Sequence, residues 1–256
     1  MRLVLGQIDI QWEDPDANAR RVSDALQALR PAPGSWIILP EMWSTGFSMD
    51  AQLTCSRAAA IATDAQRSWA AQFQCRVLGG IAGIVAGQPC NRVIGHDSSG
   101  RQWLAFSKLH GFSPAGEDAA YAPGDGVVVE TADECLVAPF ICYDLRFPEV
   151  FREASARGAD LLLVLANWPA RRDRHWRALL IARAIENQAW VVGVNRVGAD
   201  PNATYAGRSL VVDPTGIVRA DAGEGERWLS LDIDIGEAAR WRAEFPALKD
   251  RRTPPP

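Results

Sequence analysis

Lysine is nearly missing from this chain. Of its 27 basic residues 25 are arginine, and the lysines are Lys108 and Lys249. Histidine is almost as scarce, with His96, His110 and His175. The five cysteines (55, 75, 90, 135 and 142) are odd in number and include no CxxC pair, so they suggest neither a disulfide framework nor a zinc site. Excess positive charge is absent too. A net charge of −4 argues against a nucleic-acid or anionic-membrane surface. No apolar run approaches the ~20 residues of a membrane span. The opening segment, Met1 to Ile10, turns polar too soon for a signal peptide. Free thiols and these absences lead to the expectation of a soluble, cytoplasmic protein without partners among membranes or nucleic acids.

What is present is a long alternation of strand and helix patterns over 256 residues without an obvious linker, which favours a single domain. Strands are expected at 2–10, 36–39, 77–86, 92–97, 101–107, 127–130, 135–140, 160–166 and 190–196. Helices are expected from Asp14 to Leu29, over 51–74, over 148–157 and over 174–189. A Gly-Gln-Pro-Cys turn is expected at 87–90 and a hairpin around Asp213-Pro-Thr-Gly216. Residues 108–126, with four glycines and two prolines, read as one long loop, and such loops are usually functional. The tail from Arg251 reads as mobile. The pattern predicts layered sheets with helices outside.

Three chemically able residues end strands. Cys142 sits where an apolar strand stops and a helix is about to start, in Pro139-Phe-Ile-Cys-Tyr-Asp-Leu-Arg-Phe-Pro-Glu149. Backbone N–H groups at such a bend favour a thiolate or a developing oxyanion. The other four cysteines read as small buried apolar residues. Lys108 follows an apolar strand and keeps an ammonium in a chain that otherwise uses guanidinium, which suggests a tight site needing a compact charge. Glu41 follows Ile-Ile-Leu-Pro at a third strand end.

These segments resemble the carbon–nitrogen hydrolase (nitrilase) superfamily. Leu39-Pro-Glu41, Ser107-Lys-Leu-His110 with Glu117 downstream, and Ile141-Cys-Tyr-Asp-Leu-Arg-Phe-Pro-Glu149 match its three motif regions in order. Val164-Leu-Ala-Asn-Trp-Pro-Ala170 and Asn195-Arg-Val-Gly-Ala-Asp200 look most like the short bacterial omega-amidases. The resemblance implies a four-layer α-β-β-α sandwich over residues 1–235, with a C-terminal extension, 236–256, packing on the domain or on a partner subunit. It implies a Glu41-Lys108-Cys142 triad with no metal or organic cofactor, and a small-molecule amide substrate of the 2-oxoglutaramate kind. Cys142 would form a thioester and release ammonia, while Lys108 would lower the thiol pKa and, with the Tyr143 N–H, hold the oxyanion. Glu117 matches a second family glutamate, to be weighed evenly against a solvated loop charge.

Trp43, Phe47 and Trp168 are candidate pocket walls. Arg146 stands where it could meet a substrate carboxylate, an ion pair with Glu149 or Glu186 being the stronger expectation. Arg171, Arg172, Arg174 and Arg177 are expected at a helix start and subunit surface. The surplus apolar residues on helices 148–157 and 174–189 imply a homodimer or higher homo-oligomer. The alternatives are hydrolysis of N-carbamoyl compounds or nitriles and, from another class, a non-catalytic binding protein.

Overall fold

The computed structural model describes residues 1–252, so the mobility expected of the tail lies, for residues 253–256, outside the described residues. Strand β1 (Arg2–Gln7) is shorter than expected and leads to α1 (Pro15–Leu29). Asp14 starts that helix by accepting from the Ala17 N–H at 2.9 Å, and Pro15 fills the first helical position, where no N–H is required. Strand β2 (Trp36–Ile38) follows. The single helix expected over 51–74 is two, α2 (Ala51–Thr54) and α3 (Arg57–Phe73). Alanine favours helix throughout, but Ser56 leaves helical geometry (φ −104°, ψ −118°) and restarts the spiral.

Strands β3 (Arg76–Val85) and β4 (Gln88–His96) form a hairpin. Its turn is Ala86-Gly87, both at positive φ (48° and 83°), the geometry that suits strand twist. The last three residues of the expected Gly-Gln-Pro-Cys turn therefore belong to the strand. After β5 (Gln102–Ser107), the long loop is partly ordered into a 3-10 turn at Ser113–Ala115 and α4 (Glu117–Ala120). Strand β6 (Glu130–Ala132) lies later than the expected 127–130, because it pairs with β7 (Cys135–Ile141) directly across the Asp133-Glu134 turn.

Helix α5 (Pro148–Ala156), β8 (Leu161–Ala166), α6 (Asp173–Asn187) and β9 (Trp190–Asn195) follow closely what the sequence predicts. Short strands β10 (Val197–Ala199) and β11 (Thr204–Ala206) form a small ladder. The hairpin of β12 (Leu210–Val212) and β13 (Val218–Asp221) turns at Asp213, which accepts from the Thr215 and Ile217 N–H groups at 2.9 and 3.0 Å. Strand β14 (Arg227–Asp232), α7 (Glu237–Glu244) and a 3-10 turn at Ala247–Asp250 complete the described elements. Arg242 of α7 binds Asp160 at 3.0 Å and the Ala159 carbonyl at 2.6 Å, fastening this segment to the start of β8.

Two six-stranded sheets result, ordered β14-β1-β2-β3-β4-β5 and β13-β12-β9-β8-β7-β6. Each has a parallel centre, β1-β2-β3 in one and β7-β8-β9 in the other. Buried residues of both sheets, among them Leu5, Ile38, Phe106, Phe140, Leu163 and Val192, share one core. Helices α1 and α3 cover the outer face of the first sheet with Val22, Leu26, Ala62 and Trp69. Helices α5 and α6 cover the second with Phe151, Ala154, Trp176 and Leu180. The architecture is a four-layer α-β-β-α sandwich. Parallel strands bring their C-terminal ends to one edge of each sheet, and at such edges loops gather functional side chains.

Candidate active site

Glu41 lies three residues beyond β2, on a backbone held by β3. The Gly80 N–H donates to the Pro40 carbonyl at 3.0 Å, and the Trp43 N–H donates to the Gly80 carbonyl at 3.1 Å. A Cβ at Gly80 would stand 2.4 Å from the Glu41 Cα, so only glycine permits this approach. Lys108 follows β5, its N–H donating to the Asn91 carbonyl of β4 at 2.8 Å. Cys142 follows β7 and adopts φ 44°, a left-handed conformation costly for a residue with a Cβ. It opens a 3-10 turn, Cys142–Arg146, ahead of α5. Asp144 fixes that turn by accepting from the Ile141 N–H at 3.0 Å and from the His110 N–H at 2.9 Å. The His110 ring nitrogen also meets Asp144 at 2.9 Å, tying the lysine's loop to the cysteine's turn.

These side chains converge. Lys108 Nζ donates to Glu41 Oε1 at 2.8 Å and to Glu117 Oε2 and Oε1 at 2.7 and 3.0 Å. Glu117 is buried and also accepts from the Phe112 N–H at 2.7 Å, so it is no solvated loop charge. Asn91 Nδ2 spans both carboxylates, at 2.7 Å to Glu41 and 2.9 Å to Glu117. Asn167, just past β8, donates its N–H to Glu41 Oε2 at 2.8 Å and its side-chain amide to the Glu41 carbonyl at 2.7 Å. Its own carbonyl accepts from the Cys142 thiol at 3.8 Å. Buried charges are tolerated only with such pairing.

Burial would discharge Lys108, but Glu41 and Glu117 outweigh it and hold the ammonium above its ordinary range. Burial also raises the Cys142 thiol well above its usual value, and Glu41 adds to this by charge and as a hydrogen-bond acceptor. Lys108 opposes that rise without cancelling it. The lysine thus lowers the thiol pKa as expected, but burial and Glu41 together outweigh it and the net shift is upward.

A cavity of about 390 Å³ opens over Cys142, with Phe47, Phe112, Tyr143 and Trp168 among its walls. Tyr143 is the second residue of the 3-10 turn, where a backbone N–H has no partner within the turn. Trp168 is held by a bond from Nε1 to the Arg172 carbonyl at 2.7 Å. Trp43, by contrast, packs in the core against Trp69 at 5.3 Å and is not a pocket wall.

The expected Arg146 ion pair is also corrected. Glu186 pairs with Arg152 and Arg183, and among the described residues no carboxylate pairs with Arg146. Its guanidinium instead lies 4.8 Å from the Trp168 ring, inside the cavity. Arg171 and Arg172 line the same cavity rather than only a helix start, whereas Arg177 binds Asp221 at 2.7 Å.

Asn91, Asp144 and Asn167 were not singled out from the sequence. Asn167 had a signal, in the segment Ala166-Asn-Trp-Pro169, and Asp144 lay inside the cysteine motif. Asn91 had none.

Among the described residues, no group of three or more His, Cys, Asp or Glu side chains is arranged to hold a metal, and no helix is long and apolar enough to cross a membrane.

The family model of the carbon-nitrogen hydrolases matches residues 2–243. The chain is 38% identical to "Omega-amidase YafV" of Escherichia coli (strain K12), over 98% of this chain and 96% of that protein. It is 31% identical to "2-oxoglutaramate amidase" of Bacillus subtilis (strain 168), over 96% of this chain and 95% of that one. Among solved structures, a CN-hydrolase superfamily protein of Xanthomonas campestris with an arsenic adduct in its active site superposes with a TM-score of 0.90. It is 32% identical, and the match covers 99% of this chain and 97% of that one.

Proposed function

This chain belongs to the carbon-nitrogen hydrolase family, and from that premise we propose that it is an omega-amidase, hydrolysing the terminal amide of a small dicarboxylic acid monoamide such as 2-oxoglutaramate. The observation that carries the reading is one constellation: a thiol beside a buried Glu41–Lys108–Glu117 ion cluster, beneath a cavity bearing Arg146 without a carboxylate partner. The first half suits acyl transfer from an amide. The second suits a substrate whose far end is an anion. The similarity to relatives named omega-amidase and 2-oxoglutaramate amidase supports the same choice.

In this mechanism Glu41 removes the Cys142 proton as sulfur attacks the amide carbon, which avoids forming a free thiolate in a site that disfavours one. The tetrahedral oxyanion is held by the Tyr143 N–H and by Lys108. The hydrogen in the longer Lys108–Glu117 contact, 3.0 Å, is the least costly to redirect toward it. Glu41 passes its proton to the leaving nitrogen, and ammonia departs from a Cys142 thioester. The same carboxylate then activates water, and the acid is released. Glu117 keeps the ammonium centred and charged throughout. No metal or organic cofactor takes part in these steps.

Arg146 receives the substrate carboxylate in this reading, with Trp168 as the surface against which the guanidinium is stacked. The protein acts in the cytoplasm, where its thiols stay reduced, as a homodimer or larger homo-oligomer. Ile185 of α6 supports that assembly, because it is apolar and 53% exposed on a helix whose inner face is already buried.

Ammonia release tests the activity. Glutaramate, succinamate and 2-oxo monoamides should be hydrolysed at least tenfold faster, as kcat/KM, than N-carbamoyl amino acids or nitriles of equal length. The reverse ranking would favour another carbon–nitrogen bond as substrate.

A further inference from the structure

Arg172 is the cavity residue that the triad leaves unexplained. It lies on the 3-10 turn Ala170–Arg172 between β8 and α6, and its backbone is fixed at both polar atoms. The carbonyl accepts from Trp168 Nε1 at 2.7 Å, and the N–H donates to the Pro169 carbonyl at 3.0 Å. Its guanidinium carbon stands 5.1 Å from the centroid of the Phe112 ring, another wall of the cavity. Among the described residues it has no carboxylate partner, although this chain pairs many of its other arginines.

The charges around it define what it lacks. Burial lowers the pKa of Arg172, and the neighbouring guanidinium groups of Arg171 and Arg146 lower it further. Three cations, Arg146, Arg171 and Arg172, line one cavity without a carboxylate partner among the described residues; they repel one another and are stabilised when an anion arrives between them. A guanidinium presents a planar fork matched to a carboxylate, which an ammonium would not. The stacked Phe112 also matters. Its N–H holds Glu117 at 2.7 Å, so Arg172 rests on the residue that anchors the lysine's second carboxylate.

Resting on the amidase reading above, we propose that Arg172 is a specificity residue that takes the substrate's distal carboxylate together with Arg146. Arg146, stacked on Trp168, supplies the fixed side of the clamp. Arg172 closes the other side over Phe112, so an acidic substrate bridges the β8–α6 turn and the loop carrying Glu117. The cavity is thereby tuned to amides with an anionic end, and neutral amides bind without closing the clamp.

The test compares Arg172→Gln with wild type on glutaramate and on valeramide, its neutral counterpart of equal chain length. A charge-assisted hydrogen bond contributes about 1.5–3 kcal/mol, so kcat/KM for glutaramate should fall about 10–100-fold, mostly through KM. Valeramide turnover should change less than about threefold, and Arg172→Lys should restore only part of the loss. Arg174→Gln, an exposed residue of the same segment outside the cavity, removes an equal charge and should leave both substrates near wild-type rates. Equal losses on both substrates in Arg172→Gln, or an Arg174→Gln loss as large, would overturn the assignment. Absence of amide hydrolysis in the wild type would instead refute the amidase reading itself, so the two failures are distinct.

Discussion

A lysine held between two buried carboxylates should not tolerate a wider cation. Lys108 meets oxygens at 2.7, 2.8 and 3.0 Å, and a guanidinium cannot occupy that point without displacing Glu41 or Glu117. Lys108→Arg should lose at least ~10² in kcat, the scale of one oxyanion donor. Lys249→Arg, on the exposed turn Ala247–Asp250, should keep wild-type rates. Steady-state ammonia release by folded variants decides it, and an active Lys108→Arg would remove the lysine from the catalytic set. The thiol offers a second residue-scale test. Glu41 raises the Cys142 pKa by its charge, so Glu41→Gln removes a raising influence and thiolate should form at lower pH. The pH profile of Cys142 alkylation by iodoacetamide should therefore move down in Glu41→Gln while turnover is lost. A profile that moves up would contradict the electrostatic account. Glu41, Lys108 and Cys142 were legible because each ends an apolar strand in a recognisable motif. Asn91 was not, since its partner Glu41 is 50 positions away and asparagine carries no periodic signal, and Asn167 lay in a recognised segment whose bond to Glu41, 126 positions away, the sequence does not reveal.

At the scale of elements, the site depends on how closely β3 approaches the chain after β2. Gly80→Ala would place a methyl group 2.4 Å from the Glu41 Cα, and the backbone carrying Glu41, the proposed base, must shift. Overpacking of this kind costs about 1–3 kcal/mol, and a displaced base lowers kcat further. We expect Gly80→Ala to lower both Tm and kcat, the latter by at least ~10-fold. Thermal unfolding followed by kinetics checks this, and unchanged kcat would show that Glu41 is not held by this contact. The strands through β9 and the long helices were legible from their apolar patterns, and Asp14 and Pro15 marked the start of α1 correctly, whereas β10, β11 and β14 were not expected. The break at Ser56 and the Ala86-Gly87 turn were missed because composition favoured the neighbouring reading while backbone geometry decided otherwise. Arg146 was misjudged for a related reason. Its spacing to Glu149 would suit a helical pair, but it lies on the 3-10 turn before α5, which directs it into the cavity.

At the scale of the whole molecule, two sheets contribute complementary halves of one site. The first supplies Glu41 after β2 and Lys108 after β5, and the second supplies Cys142 after β7 and Asn167 after β8. The proposed assembly rests on what the outer helices leave uncovered. Phe151, Trp176 and Leu180 are buried beneath the second helical layer, while Ile185 and Phe245 remain 53% and 55% exposed. Sedimentation at micromolar concentration should report at least twice the 27.9 kDa chain mass, and Ile185→Glu should shift it toward the monomer. A wild-type mass of one chain would count against the assembly.

The central claim is a covalent one: Cys142 carries the acyl group after ammonia has left. Acid quenching during turnover of glutaramate, followed by peptide mass analysis, tests it most directly. The account predicts the glutaryl mass on the peptide containing Cys142, removable by hydroxylamine and absent in Cys142→Ala, with ammonia appearing before free glutarate. A peptide that stays unmodified while ammonia and glutarate appear together, or an active Cys142→Ala, would contradict it.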